Sequence, residues 1–245
     1  MAKPVILIGG GKGGVGKSLL SMATLDYLLS TSEHTFLVET DTSVPDVYKQ
    51  YKDELGSELV NLDEREGWIE LSNIIESKPE SYVVINTGAR NQTGVANFGK
   101  TLSGALVELK RKLVVLWLID RKRESMELLF DFREAFPDAE LHVVRNNYLG
   151  AEKKFEFYNG SKVRTEIEKS GGRSLNFSEL ADRVTDAMNR QRLTIEKADA
   201  ELSLGTRRAT ARCGGEGRGA GRGVLGCGLA SQFAPLPPPA APGRR

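Results

Sequence analysis

The sequence predicts an α/β fold, a mostly parallel sheet flanked by helices on both faces. Apolar runs of strand length alternate along the chain with longer segments whose apolar residues recur at helical spacing. Most of the strand runs are continuous rather than alternating, as strands covered on both faces require. Strand followed by helix, repeated, builds parallel pairs through right-handed crossovers and gathers the functional loops at the carboxyl ends of the strands.

The strands are expected at "PVILIG" (4–9), "TFLVET" (35–40), "SYVVINT" (81–87), "KLVVLWLID" (112–120) and "ELHVVRN" (140–146). Helices are expected at 17–30, 67–77, 98–112 and 124–136. In the first of them Leu19, Leu20, Ala23, Leu25, Leu28 and Leu29 form a broad apolar face. Beyond Asn146 the pattern predicts a helix over 161–172 ended by Gly171 and Gly172, a short strand at "RSLNF", and one long helix over 178–203 opened by Ser178.

The 245 residues suit one substantial domain, expected over 1–204, followed by a tail over 205–245. The near-zero net charge is a composite. The tail holds seven Arg and one acid, which leaves 27 basic and 32 acidic residues in 1–204. A mildly acidic body argues against a DNA-coating domain, although a local basic patch is compatible with it. Ten Gly and five Pro in the 41 tail residues give it little with which to build a core, so it is expected to be disordered, either as a cationic arm or as an inert or non-native terminus. Both cysteines, Cys213 and Cys227, fall in the tail; the body then has no disulfide and suits a reducing cytoplasm. The first strand starts too early for a signal peptide, and no run approaches the ~18 apolar residues of a membrane span.

The chemistry is concentrated in "GGGKGGVGKS" (9–18). Gly11, Gly16, Lys17 and Ser18 satisfy G-x-x-x-x-G-K-[ST] between a strand and a helix. Glycines let successive backbone N–H groups converge on phosphate oxygens, Lys17 brings a charge to the β and γ positions, and Ser18 offers a hydroxyl to magnesium. The helix N-terminus adds its dipole. Gly9, Gly11 and Gly14 also satisfy G-x-G-x-x-G, with Glu39 where a dinucleotide fold places its ribose acid. The longer motif explains the same glycines together with Lys17 and Ser18.

The extra lysine, Lys12, completes K-G-G-x-G-K-[ST] and resembles the deviant Walker A of the MinD/ParA family of P-loop ATPases. The resemblance implies ATP and Mg2+ as cofactors, with Gly11, Lys12, Gly13, Gly14, Val15, Gly16, Lys17, Ser18 and Leu19 around the nucleotide. It also implies a homodimer closed through ATP, in which Lys12 reaches the phosphates held by the other subunit, the task of an arginine finger. The family's D-x-D at the end of the second strand corresponds to Glu39, Thr40 and Asp41, which casts Asp41 as the residue that positions the attacking water. Lys12, Lys17 and Asp41 are thus the expected catalytic set. Where the family's Walker B strand ends in Asp, this chain has Asn86 in "YVVINTGAR", an amide able to hold a metal-bound water but without the charge, so hydrolysis is expected to be slow. Asn146 in "VVRNN" is a candidate adenine contact or a turn former. "ETDTSVPDVYK", "VVRNNYLGAEKKFEFYNGS" and "GGRSLNFSELADRV" look most like TraL/MobD-type members encoded with plasmid conjugation and mobilisation genes. A relaxase or another transfer protein, or DNA, is then the implied partner. A monomeric P-loop enzyme acting on a small molecule and a non-hydrolysing binding module are the alternatives.

Overall fold

Seven strands form one sheet in a computed structural model that describes residues 2–89, 92–179 and 182–201. They are β1 (Val5–Gly10), β2 (Thr35–Glu39), β3 (Gly56–Leu59), β4 (Tyr82–Asn86), β5 (Leu113–Ile119), β6 (Glu140–Asn146) and β7 (Ser174–Phe177), in the order β3-β2-β4-β1-β5-β6-β7. Every pairing is parallel. The helices are α1 (Lys17–Ser30), α2 (Asp46–Tyr51), α3 (Arg65–Ser77), α4 (Gln92–Glu108), α5 (Arg123–Ala135), α6 (Glu156–Asn159), α7 (Lys162–Lys169), α8 (Asp182–Gln191) and α9 (Ile195–Glu201).

Each central strand feeds two cores, which is why its apolar run is unbroken. From β5, Val115 and Trp117 join a core with Trp68 and Leu71 of α3, Leu102 of α4, and Leu129 and Phe132 of α5. The intervening Leu116 and Leu118 join the opposite core with Leu20, Ala23 and Leu25 of α1, Tyr51 of α2, and Met188, Ile195 and Ala198 of the last two helices. All seven residues of β5 are buried. Strand β1 lies between β4 and β5, so the loop that follows it emerges at the middle of the carboxyl edge.

Helices α2 and α6, six and four residues long, are too short for apolar periodicity to announce them, and three further elements depart from the pattern read in the sequence. Strand β3, "GSEL", is an edge strand that pairs only with β2 and is largely exposed, so no apolar run announces it. Helix α4 occupies 92–108 rather than 98–112. The expected long final helix is two helices broken at Arg192, which has φ 53°. The break turns Leu193, Thr194 and Ile195 into the core, and the Thr194 hydroxyl caps α9 by accepting the Lys197 N–H at 3.3 Å. The tail over 205–245, with both cysteines, lies outside the described residues.

Helices α3 and α4 close over the loop after β3. The Trp68 indole N–H donates to the Leu62 carbonyl at 2.9 Å, and a Cβ on Gly67 would stand 1.8 Å from the Asn61 carbonyl oxygen. Gly67→Ala therefore has to push backbone from backbone. It is expected to cost ~1–3 kcal/mol, the usual range for overpacking, read as a lower urea midpoint at unchanged slope.

Candidate functional site

The loop between β1 and α1 turns twice through left-handed backbone, at Gly14 (φ 76°) and Gly16 (φ 103°), conformations in which a side chain would be strained. The first helical bond runs from the Leu20 N–H to the Gly16 carbonyl at 3.0 Å. No side chain caps α1 and no acid lies in its first turn, so its leading N–H groups are open to an anion. Val15 anchors the loop in the core below, Leu19 packs against the same core, and Ser18 is half-buried at the helix start.

The two lysines of the loop are placed differently. Lys17 is 8% exposed and lies across the loop, its ammonium donating to the Lys12 carbonyl at 2.9 Å. Burial pushes Lys17 below the ordinary lysine range, and the charge of Asp41 works against that shift. The Lys12 side chain instead forms an ion pair with Glu124 in the first turn of α5.

Beside the loop the parallel register of β2 and β4 sets Glu39 against Asn86. The Asn86 amide donates to Glu39 Oε1 at 2.8 Å, and its oxygen accepts the Ser21 hydroxyl at 2.8 Å. Glu39 Oε1 also accepts the Asp41 N–H at 2.9 Å, while Oε2 is buried with no hydrogen-bond partner. Burial raises Glu39 to about 7, against the bonds donated by Asp41, Asn86 and the Tyr48 backbone in the first turn of α2. An orphaned carboxylate oxygen in a buried site is costly unless something polar comes to it. The site is closed to a ribose in solvent, since Glu39 is 0% exposed, so the dinucleotide alternative loses its acid.

Asp41 makes the turn after β2, accepting the Ser43 hydroxyl at 2.6 Å and the Val44 N–H at 3.1 Å, and faces the same site as Lys17. The loops after β2 and β4 are joined: the Thr40 hydroxyl donates to the Asn86 carbonyl at 2.9 Å, and the Gly88 N–H donates to the Thr40 hydroxyl at 3.2 Å. Of the two roles open to Asn146, the turn former is the one visible, since its side chain caps the short turn that follows β6. Its amide donates to the Val15 carbonyl at 2.9 Å, and its oxygen accepts the Tyr148 N–H at 3.0 Å. With both ends engaged and 5% exposure, it braces the phosphate loop from β6. Asp120 makes the turn that leads into α5, accepting the Ser125 hydroxyl at 2.6 Å and the Lys122 N–H at 2.8 Å. The "KKFEFYNGSK" aromatics divide, with Phe155 and Tyr158 in the core and Phe157 exposed.

Lys12, Lys17, Ser18, Asp41 and Asn86 thus meet at one edge of the sheet, and Glu39, Ser21 and Glu124 join them. Glu39 stands at the first position of the D-x-D counterpart, whereas Ser21 and Glu124 carry no local motif. Only the convention that loops of a parallel sheet converge at its carboxyl edge points to Glu124.

A left-handed glycine loop between a buried central strand and an open helix N-terminus, with a buried lysine across it, defines a P-loop nucleotide-binding protein. The chain shares the MinD fold: it matches the MinD cell division protein of Aquifex aeolicus with a TM-score of 0.53 at 13% identity, over 96% of this chain and 99% of that one. A chain of the MinC:MinD cell division protein complex of the same organism matches at 0.50 and 15% identity, over 90% of this chain and 99% of that one. No family model matches the chain. Protein MobD of Acidithiobacillus ferrooxidans is 53% identical over 225 residues, 92% of this chain and 99% of that protein, and the chain belongs to the MobD family. Among the described residues no helix is long and apolar enough to cross a membrane.

Proposed function

We propose that the chain binds ATP with magnesium, hydrolyses it slowly, and uses the nucleotide to switch between monomer and dimer in plasmid transfer, mobilisation or partition, in the cytoplasm. The observation that carries the switch is the division of labour between the lysines. Lys17 already crosses the loop, so Lys12 is not needed to hold the nucleotide bound by its own chain. A second ammonium at the rim, paired only with a half-exposed acid, suits a phosphate presented by another copy.

The residues present fit a magnesium ion that arrives with the nucleotide. Among the described residues no group of three or more His, Cys, Asp or Glu is placed to hold a metal alone, so Ser18 and phosphate oxygens would hold it directly. Glu39 is 0% exposed, so its Oε2 would take a metal-bound water only where the loops after β2 and β4 part around the nucleotide, and the Asn86 amide, tied to Ser21, keeps that carboxylate in place. The missing Walker B charge is in this reading supplied one strand away. Magnesium, when bound, neutralises phosphate charge. Asp41 orients the attacking water, and Lys17 and Lys12 stabilise the phosphoryl oxygens from the two subunits.

Lys12→Ala is expected to keep ATP binding within about threefold, since Lys12 lies outside the loop's own cradle, and to lose dimerisation together with most of the turnover, by ~10³-fold where a trans cation acts as an arginine finger does. Light scattering with ATP and magnesium, beside a phosphate-release assay, reads both. Unchanged turnover would remove the trans role. Asn86 favours one other reading, a binding module that does not turn ATP over; the same assay with and without DNA decides between them, and DNA-stimulated release also speaks for a DNA-linked partner such as a relaxase complex.

A further inference from the structure

The Lys12 ammonium is not waiting in solvent. It is paired with Glu124, a residue 112 positions away in sequence that α5 brings to the rim of the phosphate loop. The lysine side chain is 27% exposed and the glutamate side chain 63% exposed, so the pair sits at the boundary between site and solvent. Among the described residues Glu124 has no other ion-pair partner, whereas Glu127, one turn further along α5, pairs with Arg123.

We propose that Glu124 is a positioning residue for Lys12: it holds the lysine in cis in the nucleotide-free chain and sets the threshold at which two ATP-loaded copies associate. The proposal rests on the trans role of Lys12 given above. The lysine has one charge to give. It cannot hold the Glu124 carboxylate of its own chain and the phosphates of a second copy with full strength in both contacts, and a carboxylate at the rim also repels an incoming polyphosphate. The exchange is favourable because a nucleotide phosphate carries more charge than one carboxylate and lies in a drier site. Breaking the pair therefore taxes association without preventing it.

The size of the tax follows from the exposure. A half-exposed ion pair weakens a competing equilibrium by about 1.4- to 5-fold. A symmetric dimer releases two such lysines, so the two costs multiply to roughly 2- to 30-fold in the dimer dissociation constant. Glu124 also lies where a helix N-terminus favours an acid, which by itself would make it only a helix stabiliser. The two roles separate by readout, because a helix contribution is common to monomer and dimer and moves the unfolding midpoint but not the dimer constant.

The test is the dimer dissociation constant of the full chain at saturating ATP and magnesium, measured by sedimentation velocity in low salt. Glu124→Gln is expected to tighten the dimer about 2- to 30-fold. In a Lys12→Ala background, where dimerisation is expected to be lost, the same change is expected not to restore it, and Glu127→Gln, which removes the same charge one turn away, is expected to leave the constant within about 1.5-fold of the parent. A Glu124→Gln dimer no tighter than the parent, or a Glu127→Gln dimer tightened as much, overturns the proposal while the trans role of Lys12 stands. A Lys12→Ala chain that dimerises as the parent does overturns the trans role itself, and with it this inference.

Discussion

Replacing Lys17 by methionine is expected to weaken ATP binding by about 30-fold to a few thousand-fold, the range found when one partner of a desolvated charge pair is removed. The methionine keeps the stem that lies across the loop and deletes the ammonium. Without nucleotide the ammonium is a burden. It is 8% exposed, its bond is to the Lys12 carbonyl, and burial holds it below the ordinary lysine range. A base whose folded-state pKa is depressed makes the fold less stable when charged, so this cost is present at neutral pH and disappears as pH rises toward the unfolded lysine value. The variant should therefore melt no lower than the parent in the absence of ATP while losing the melting-temperature rise that ATP produces. Calorimetric titration and thermal melts at pH 7.5 read the two quantities. ATP binding within threefold of the parent would mean that the loop is not where the phosphates lie.

The same contrast explains what was legible in the sequence. The segment 17–30 is a helix over those residues because the phosphate-loop motif marks its start and its apolar face marks its course. Strands β1, β2, β4, β5 and β6 fall within a residue of their expected bounds, since each buries both faces and so carries an unbroken apolar run. Strand β3 does not, because an exposed edge strand needs no such run. The break at Arg192 is invisible because the helical pattern continues through it; what decides the break is that Leu193 and Ile195 can be buried only if the chain turns. In the site, Lys12, Lys17, Ser18, Asp41 and Asn86 are readable as motif positions. The contacts of Glu39 and Glu124 are not, because they arise from strand register and from the convergence of loops far apart in the chain. Asn146 was readable as a turn former at a strand end, but not as the brace of a loop whose contacting residue, Val15, lies 131 positions earlier in the sequence.

Glu39→Gln is expected to make the nucleotide-free protein more stable at pH 8 by up to ~3 kcal/mol, with little change near pH 4.5. In the folded chain Glu39 titrates at about 7 rather than 4.5, with burial the dominant cause. An acid whose folded-state pKa is raised binds a proton more tightly in the native state. Its contribution is fully present below the unfolded value and is lost as pH rises through 7, after which the curve is flat. Above that pH the parent keeps a carboxylate whose Oε2 has no partner. Glutamine places a neutral amide there, retains an oxygen to accept the Asp41 N–H, and removes the pH dependence between the two values. Urea unfolding at pH 5 and pH 8 separates the outcomes, and equal stability at pH 8 would show that the carboxylate is already satisfied. If Glu39 is the acceptor for metal-bound water, the stabilised variant loses magnesium-dependent ATP binding in the same range of pH. A gain in stability together with that loss is what distinguishes a carboxylate kept for a ligand from one that is merely misplaced.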